Sequence, residues 1–234
     1  MDLHQTDPEC AERFAYFAFQ EVINEENQQL DEKTRYMAIS AALIGCGAVD
    51  AYREMLPRAL ENGLTPIAVK EIVYQATDYL GYGRILPFLR VTNETFAERG
   101  IELPLDGQAT TTLENRLEKG VEAQMKIFGA HMQEAWKTGH INRWLAANCF
   151  GDYYTRTGLT LAQREMITFC FFGGTGRLRA PADWPRKGQH EPGQRQGVSH
   201  SGGVPVPALH RLPPQPECHN LCKQGGRGIN KGCR

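Results

Sequence analysis

The first group that could do chemistry is the thiol of Cys46, with the guanidinium of Arg53 seven residues later. A thiolate is the nucleophilic form of cysteine, and a nearby cation favours it. Residues seven apart on a helix lie on one face, so such a pair can share a site. The alternative is that Cys46 is a small, buried apolar residue. No Cys-x-x-Cys pair occurs, and no histidine lies between His4 and His131.

The other candidate groups have structural as well as chemical interpretations. Glu165 is the second candidate, and in the first turn of a helix its carboxylate would also interact favourably with the helix dipole. His131 and His140 are expected at the solvated surface, from which they could approach a site. Cys149 and Cys170 are predicted to lie in the core.

Three patterns near the end of the chain resemble ligand sites without completing them. The sequence CHNLC at 218–222, with Cys233, lacks the spacing of a zinc finger. The glycines at 173–176 follow a helix and lack Gly-Lys-Ser/Thr, which argues against a phosphate loop. Basic residues could contact nucleic-acid phosphates, but Trp184 is the only aromatic in 173–234 available for base stacking. We predict no metal, no cofactor and no nucleic-acid partner.

The elements that must position these groups are helices. Apolar residues recur at helical spacing through much of residues 12–172, and no convincing alternating strand pattern appears. Residues 101–108 interrupt the pattern as a linker. We predict an all-α fold, with helix starts at Asp31, Thr65-Pro66 and Thr160-x-x-Gln163. The aromatic stripe is predicted to be core or an assembly face; it contains Phe14, Phe17 and Phe19.

Composition changes after Phe172. Residues 173–234 hold 12 of the 24 Gly and 8 of the 13 Pro, and their net charge is +7 against −8 for residues 1–172. A segment this poor in large apolar residues cannot bury enough surface to offset the entropy of ordering. We therefore predict that 173–234 is a disordered, basic, Gly/Pro-rich tail.

Several blocks resemble the carboxymuconolactone decarboxylase family, which includes the alkylhydroperoxidase-like proteins. The blocks are RYMAISAA at 35–42, IGC at 44–46, ALENGLTP at 59–66, EIVYQA at 71–76 and YLGY at 79–82. A second copy begins with LTLAQREM at 159–166, which aligns with LDEKTRYM at 30–37. The resemblance implies an alkylhydroperoxidase-like helical bundle of two repeats, the first at 12–100 and a partial second at 109–172.

The resemblance also implies a chemistry: thiol-dependent peroxide reduction of the peroxiredoxin type, or decarboxylation of a lactone acid. The family motif combines a cysteine, a histidine one to two helical turns later, and an upstream glutamate. On this basis Cys46, the first-repeat thiol, and Glu165, the second-repeat acid, are the predicted catalytic residues. Arg53 replaces the first-repeat histidine, and the second-repeat Cys/His pair is missing. We therefore expect impaired activity.

One hypothesis for the missing pair is a shift of reading frame near the Phe171 and Phe172 codons. One base out of register, Gly176–Gly188 is compatible with GGCEPQLTGHAKG, and Val204–Gln224 with SQCLPYIGYPRSLNAITCVN. Both strings continue the second repeat. We infer that the tail is out of frame. A native basic tail is the alternative, and sequencing the gene decides between them.

The sequence thus favours a carboxymuconolactone decarboxylase-like protein acting on a small-molecule peroxide or lactone acid. The ring assemblies of the family imply a homo-oligomer. A non-catalytic helical assembly or binding protein is the alternative, and a helical domain with a tail that binds nucleic acid is a third hypothesis. The seven scattered cysteines do not suggest a disulfide framework. With no signal peptide and no apolar run of ~18 residues, we expect a cytoplasmic protein without membrane contact.

Overall fold

The computed structural model describes residues 3–26 and 30–176, and within these ranges it contains helices and loops but no strand. The α-helices are α1 (Leu3–Thr6), α2 (Pro8–Tyr16), α3 (Val22–Asn24), α4 (Glu32–Cys46), α5 (Val49–Glu61), α6 (Pro66–Leu80), α7 (Tyr82–Glu98), α8 (Arg116–Phe128), α9 (His140–Trp144) and α10 (Leu161–Gly174). Two π-helical segments, Phe17–Glu21 and Leu145–Tyr154, and a 3₁₀ segment, Ala130–Thr138, complete the set. None of these described helices combines the length and hydrophobicity needed to cross a bilayer.

The all-α prediction is confirmed for the described residues. The predicted start of the tail at residue 173 is wrong, because α10 continues to Gly174. The predictions made for the tail from residue 177 onward lie outside the described residues, as do the cysteine pattern at 218–222 and the proposed change of reading frame.

The three predicted helix starts are present. Asp31 accepts a hydrogen bond, 2.9 Å long, from the backbone N–H three residues later at the start of α4. Thr65 does the same at 3.2 Å before α6, and Thr160 and Gln163 form a reciprocal capping box before α10. Each cap satisfies backbone donors that the helix leaves unpaired and contributes about 0.5–2 kcal/mol. Local sequence therefore sets where these helices begin.

The larger core lies among α4, α5, α6, α7 and α10. Its fully buried apolar members are Met37, Ala41, Leu56, Ala59, Val73, Ala76, Ile85, Phe96, Ile167 and Phe171, each 0 % exposed. The ring of Tyr52 packs edge-on against Phe88 with 5.2 Å between centroids. Its hydroxyl lies 3.0 Å from Thr92 Oγ1, so this buried polar atom is satisfied. Full burial of each large side chain contributes about 1.5–3 kcal/mol.

Helices α4 and α10, which carry the two aligned sequence segments, pack against each other. A Cβ atom at Gly45 would lie 2.3 Å from the carbonyl oxygen of Phe171, and one at Gly174 would lie 2.3 Å from that of Ala42. The backbones approach too closely for larger residues on either side. Glycine is therefore required at both positions.

The second half of the chain has its own small core, in which α8 packs against the π-helical segment. The members of this core are Ala123, Cys149, Phe150 and Tyr154. A Cβ atom at Gly120 would lie 1.8 Å from the carbonyl oxygen of Ala146. Gly129 and Gly139, both with positive φ, bracket the 3₁₀ segment. The sequence pattern predicts helices over 112–136 and 141–156. The structure instead ends α8 at Phe128, follows it with the 3₁₀ segment, and makes Leu145–Tyr154 π-helical.

The N-terminal helices contain no buried residue in the segment Pro8–Asn24. Phe14, Tyr16 and Phe17 are 64 %, 62 % and 57 % exposed. Phe14 and Phe19 contact each other edge-on, with 6.4 Å between ring centroids. Of the two roles predicted for the aromatic stripe, the core role is therefore wrong. The assembly role stays a prediction.

Candidate functional site

A buried ion network joins α6 to the second half of the chain. Arg164, 0 % exposed, donates from Nη2 to Glu71 Oε2 and from Nη1 to Gln75 Oε1, both at 2.9 Å. Arg156 donates to the same Glu71 carboxylate from Nε at 3.0 Å and from Nη2 at 2.9 Å. A buried carboxylate is tolerated when it is paired in this way. The network therefore holds α10, and the loop before it, against α6.

Cys46 lies at the exposed C-terminal end of α4. Its thiol donates to the carbonyl oxygen of Leu43 over 3.4 Å. The helix ends there because Gly47 adopts left-handed φ of 75°. Arg53 lies on the next helix, α5, and pairs with Glu94 at 2.6 Å. The prediction of a shared helix face is therefore wrong, and so is the alternative that Cys46 is buried.

Glu165 lies in α10, but beyond the first turn, which contains no acidic residue. The predicted dipole role is therefore wrong. The side chain is half-buried. Burial raises the pKa of the Glu165 carboxyl, and a hydrogen bond with Tyr154 lowers it by less. The protein thus favours the neutral carboxyl more than water does.

Glu165 is one end of a row of polar side chains that we call the polar relay: Asp78, Cys149, Tyr79, Tyr154 and Glu165. The hydroxyls of Tyr154 and Tyr79 are 2.8 Å apart. Cys149 Sγ donates to the Tyr79 hydroxyl over 3.5 Å. Asp78 interacts with the same thiol and forms the other end. The relay thus connects two carboxyl groups that are 87 positions apart in the sequence.

Three elements position the polar relay. Asp78 and Tyr79 lie in the last turn of α6, and Glu165 lies in α10. Cys149 and Tyr154 both lie in the π-helical segment. Residues five apart on an α-helix point about 140° away from each other, whereas the i→i+5 bonding of a π-helix brings them close. The π-helical backbone therefore puts the thiol and the hydroxyl on one side.

Burial sets the protonation of the relay. Cys149 is 4 % exposed, and burial together with the Asp78 charge raises the pKa of its thiol. Burial, with repulsion from Asp152, raises the pKa of Asp78 to about 7, against a lowering by Cys149. Burial also raises the pKa values of Tyr79 and Tyr154. At neutral pH the thiol and the two phenols therefore hold their protons, and Asp78 is the member whose pKa lies in this range.

The relay has one unpaired acceptor. Asp78 Oδ2 is buried, and within residues 3–26 and 30–176 it has no hydrogen-bond partner. A buried oxygen without a partner costs about 1–3 kcal/mol. Protonating the carboxyl lowers that cost, because the charged form needs solvation most. This agrees with the raised pKa of Asp78.

The remaining predicted groups do not form a thiol site. Cys149 lies in the core as predicted, and Cys170 is partly buried, with burial raising its pKa to about 11. His131 and His140 are exposed, as predicted. In the part of the chain that the structure describes, no group of three or more His, Cys, Asp or Glu side chains could hold a metal ion.

Sequence reasoning found Glu165 but missed Asp78, Tyr79 and Tyr154. One local signal was available: Asp78 is a carboxylate in the last turn of an apolar helix, where the helix dipole disfavours negative charge. An acid in such a position is a reason to look for a compensating contact. The identity of its partners was not available, because they lie about seventy positions further along the chain.

Residues 8–94 match the sequence profile described as the Carboxymuconolactone decarboxylase family. The matched segment spans α2 to α7 up to Glu94 and includes Cys46 and Asp78. None of the curated proteins compared with the chain matches it significantly.

Proposed function

We propose, from the premise that residues 8–94 form a carboxymuconolactone decarboxylase domain, that the polar relay performs acid–base chemistry on a small lactone acid. The observation that carries this proposal is the hydrogen-bonded group Tyr154–Tyr79–Cys149, which has a carboxyl group at each end. Burial raises the pKa of both carboxyl groups, Asp78 and Glu165. Positioned acids whose pKa lies near the working pH are the groups that general acid–base catalysis uses.

The proposed step balances as follows. The bond from the lactone ring carbon to its carboxylate breaks, CO₂ leaves, and the electron pair passes into the conjugated ring system. Glu165 donates a proton to the carbon that lost the carboxylate. Tyr154, Tyr79 and the Cys149 thiol pass a replacement proton along the relay from Asp78, which exchanges with water. No redox partner is needed for this sequence.

Thiol-dependent peroxide reduction receives less support. The reaction needs a thiolate, and a resolving thiol to regenerate it. Burial raises the pKa values of Cys149 and Cys170, which favours their protonated forms. Cys46 is accessible, but among the described residues the only hydrogen-bond partner of its thiol is the carbonyl oxygen of Leu43. We therefore still expect the peroxide-reducing activity to be impaired in this chain.

A non-catalytic assembly role is the second candidate, because specific exposed surfaces favour it. The aromatic stripe on α2 and the following π-helical turn is unburied, and Phe169 on α10 is 63 % exposed. Both would be covered in a homo-oligomer. The same proposal includes two repeats, at 12–100 and 109–172. The packing of α4 on α10 supports it, because two copies of a duplicated helix would pack in this way. The proposal also includes a cytoplasmic location.

The test uses the full chain and a carboxylated muconolactone, with CO₂ release as the readout. Glu165→Gln should lower kcat about 10²-fold or more, because it removes the proton donor. Glu54→Gln, at an exposed glutamate of α5, is the matched control and should not change turnover. Turnover by Glu165→Gln equal to that of the unchanged chain would overturn the proposal.

Peroxide reduction is measured in parallel with an organic hydroperoxide and a dithiol reductant. Turnover should be weak, and Cys46→Ser should leave it unchanged. A rapid reaction that disappears in Cys46→Ser would instead establish thiol chemistry at the end of α4. If neither substrate is turned over while sedimentation shows a defined oligomer, the assembly role is supported.

A further inference from the structure

A cavity of about 340 Å³ opens between α6 and the loop that follows α7. Its wall includes Lys70, Tyr74, Asn93 and Arg156. It shares no residue with the polar relay, and Cys46 does not contribute to its wall. Its volume lies at the lower end of the range of small-molecule sites.

Lys70 is a buried cation that has no counter-ion among the described residues. The side chain is 8 % exposed, and in the described part of the chain no carboxylate lies within ion-pair distance of its ammonium. Nζ donates to Asn93 Oδ1 and lies 5.9 Å from the ring centroid of Tyr74 and 5.8 Å from that of Phe96. Buried lysines are normally paired, and an ammonium carries three donors. Two of its hydrogens therefore remain for a ligand.

Arg156 adds a second donor to the same wall. Its guanidinium carbon lies 5.4 Å from the ring centroid of Tyr74, so that ring contacts both cations. Nε and Nη2 bind Glu71, whereas Nη1 has no hydrogen-bond partner in residues 3–26 or 30–176. Glu71 also neutralises Arg164. The wall thus carries two cations, Lys70 and Arg156, and two carboxylates, Glu71 and the exposed Asp106. Because Glu71 is already paired with both Arg156 and Arg164, it does not compensate Lys70.

We infer that this cavity binds a small organic monocarboxylate, with the carboxylate between Lys70 and Arg156 and an apolar body against Ile67, Leu103 and Leu105. Charge-assisted bonds from a lysine and an arginine are the strong bonds available to an anion in a protein. The Glu71 carboxylate on the wall disfavours a phosphate dianion. The inference is independent of the decarboxylation proposed above, because it concerns binding and uses other residues.

The test is titration calorimetry of the full chain with benzoate, with the neutral isostere benzamide as the matched ligand. Benzoate should bind, and benzamide should bind at least tenfold more weakly. Lys70→Met should weaken benzoate binding at least tenfold. Lys126→Met, at an exposed lysine of α8, should leave it unchanged. Inorganic phosphate should not compete at equal concentration.

Equal binding of benzoate and benzamide, or unchanged benzoate binding by Lys70→Met, would overturn the inference. Competition by phosphate at the affinity of benzoate would overturn the assignment to carboxylates. If circular dichroism shows that Lys70→Met does not fold, the rate of chemical acetylation of Lys70 in the unchanged chain is measured instead, with and without benzoate. Benzoate should slow that reaction at Lys70 and not at Lys126, and equal rates with and without benzoate would reject the site.

Discussion

The two halves of the described chain build their cores differently. Helices α4–α7 are regular and surround a large apolar cluster that also takes in α10, whereas the second half has a four-residue cluster among 3₁₀ and π-helical segments. The polar relay spans the seam between them. Its residues on α6, Asp78 and Tyr79, are part of the half with the larger core. Cys149 and Tyr154 lie in the second half, so their positions relative to α6 depend on contacts between the two halves. Geometry at the site is therefore sensitive to whatever fastens the two halves together.

The largest loss of stability should come from a substitution at Arg164, which joins α10 to α6. Arg164→Met removes the guanidinium that joins Gln75 and Glu71 to the start of α10. Losing one partner of a buried ion network costs about 3–5 kcal/mol. Urea unfolding measures the loss. Arg143→Met, at an exposed arginine of α9, should change stability by less than about 0.5 kcal/mol. Equal stability of the two variants would show that the halves are held by apolar contact alone.

A pH-dependent effect should come from Asp78. Because its pKa is raised from 3.8 to about 7, the folded chain favours the protonated form, and stability should fall as pH rises from about 4 to about 7. Asp78→Asn stays neutral. Its stability relative to the unchanged chain should therefore rise with pH, by an amount on the order of 3 kcal/mol between pH 4 and pH 8.

The stabilities of Asp78→Asn and of the unchanged protein are measured by thermal unfolding across this pH range. Asp50→Asn, at an exposed aspartate of α5, provides the comparison and should show no such rise above pH 5. A parallel pH profile for Asp78→Asn and the unchanged chain would contradict the assigned protonation of the relay.

Close backbone contacts should give intermediate effects in both halves. Gly45→Ala and Gly120→Ala place a Cβ atom within 2.3 Å and 1.8 Å of carbonyl oxygens. Each should destabilise the chain by about 1–3 kcal/mol, with the larger loss at Gly120. Gly83→Ala meets nothing within 4 Å in α7 and should stabilise by about 0.5–1 kcal/mol. Chemical denaturation ranks the three, and an unaffected Gly120→Ala would mean that the second half is loosely packed.

The smallest effect should follow Phe169→Ser. This side chain is 63 % exposed on α10, so its replacement should change the free energy of unfolding by less than about 0.5 kcal/mol. Denaturation at two protein concentrations provides the check. A loss above about 1 kcal/mol that grows with concentration would show that another copy of the chain covers this face.

Helix positions followed from short-range patterns. Asp31, Thr65 and Thr160 begin helices because each side chain reaches a backbone donor three residues away, a contact that adjacent sequence specifies. The family blocks lie within the segment 8–94 that the family profile matches. The second half is less regular than its pattern indicates, since a π-helical segment that packs against α8 stands where a regular helix was predicted.

Candidate chemistry was harder to place. Cys46 and Arg53 looked adjacent only on the assumption of one continuous helix, which Gly47 interrupts. Glu165 was found through the family resemblance, but its contact with Tyr154 was not. The catalytic roles of Cys46 and Glu165 stay predictions that the experiments above test.

Helix content, helix starts and the family resemblance of residues 8–94 can be read directly from the chain, because each rests on contacts within a few residues or on a recognisable run of them. The polar relay, the Arg164 network and the uncompensated charge of Lys70 required the folded molecule. Protonation depends on desolvation, and desolvation arises when segments about seventy to ninety positions apart in the sequence enclose the same few atoms.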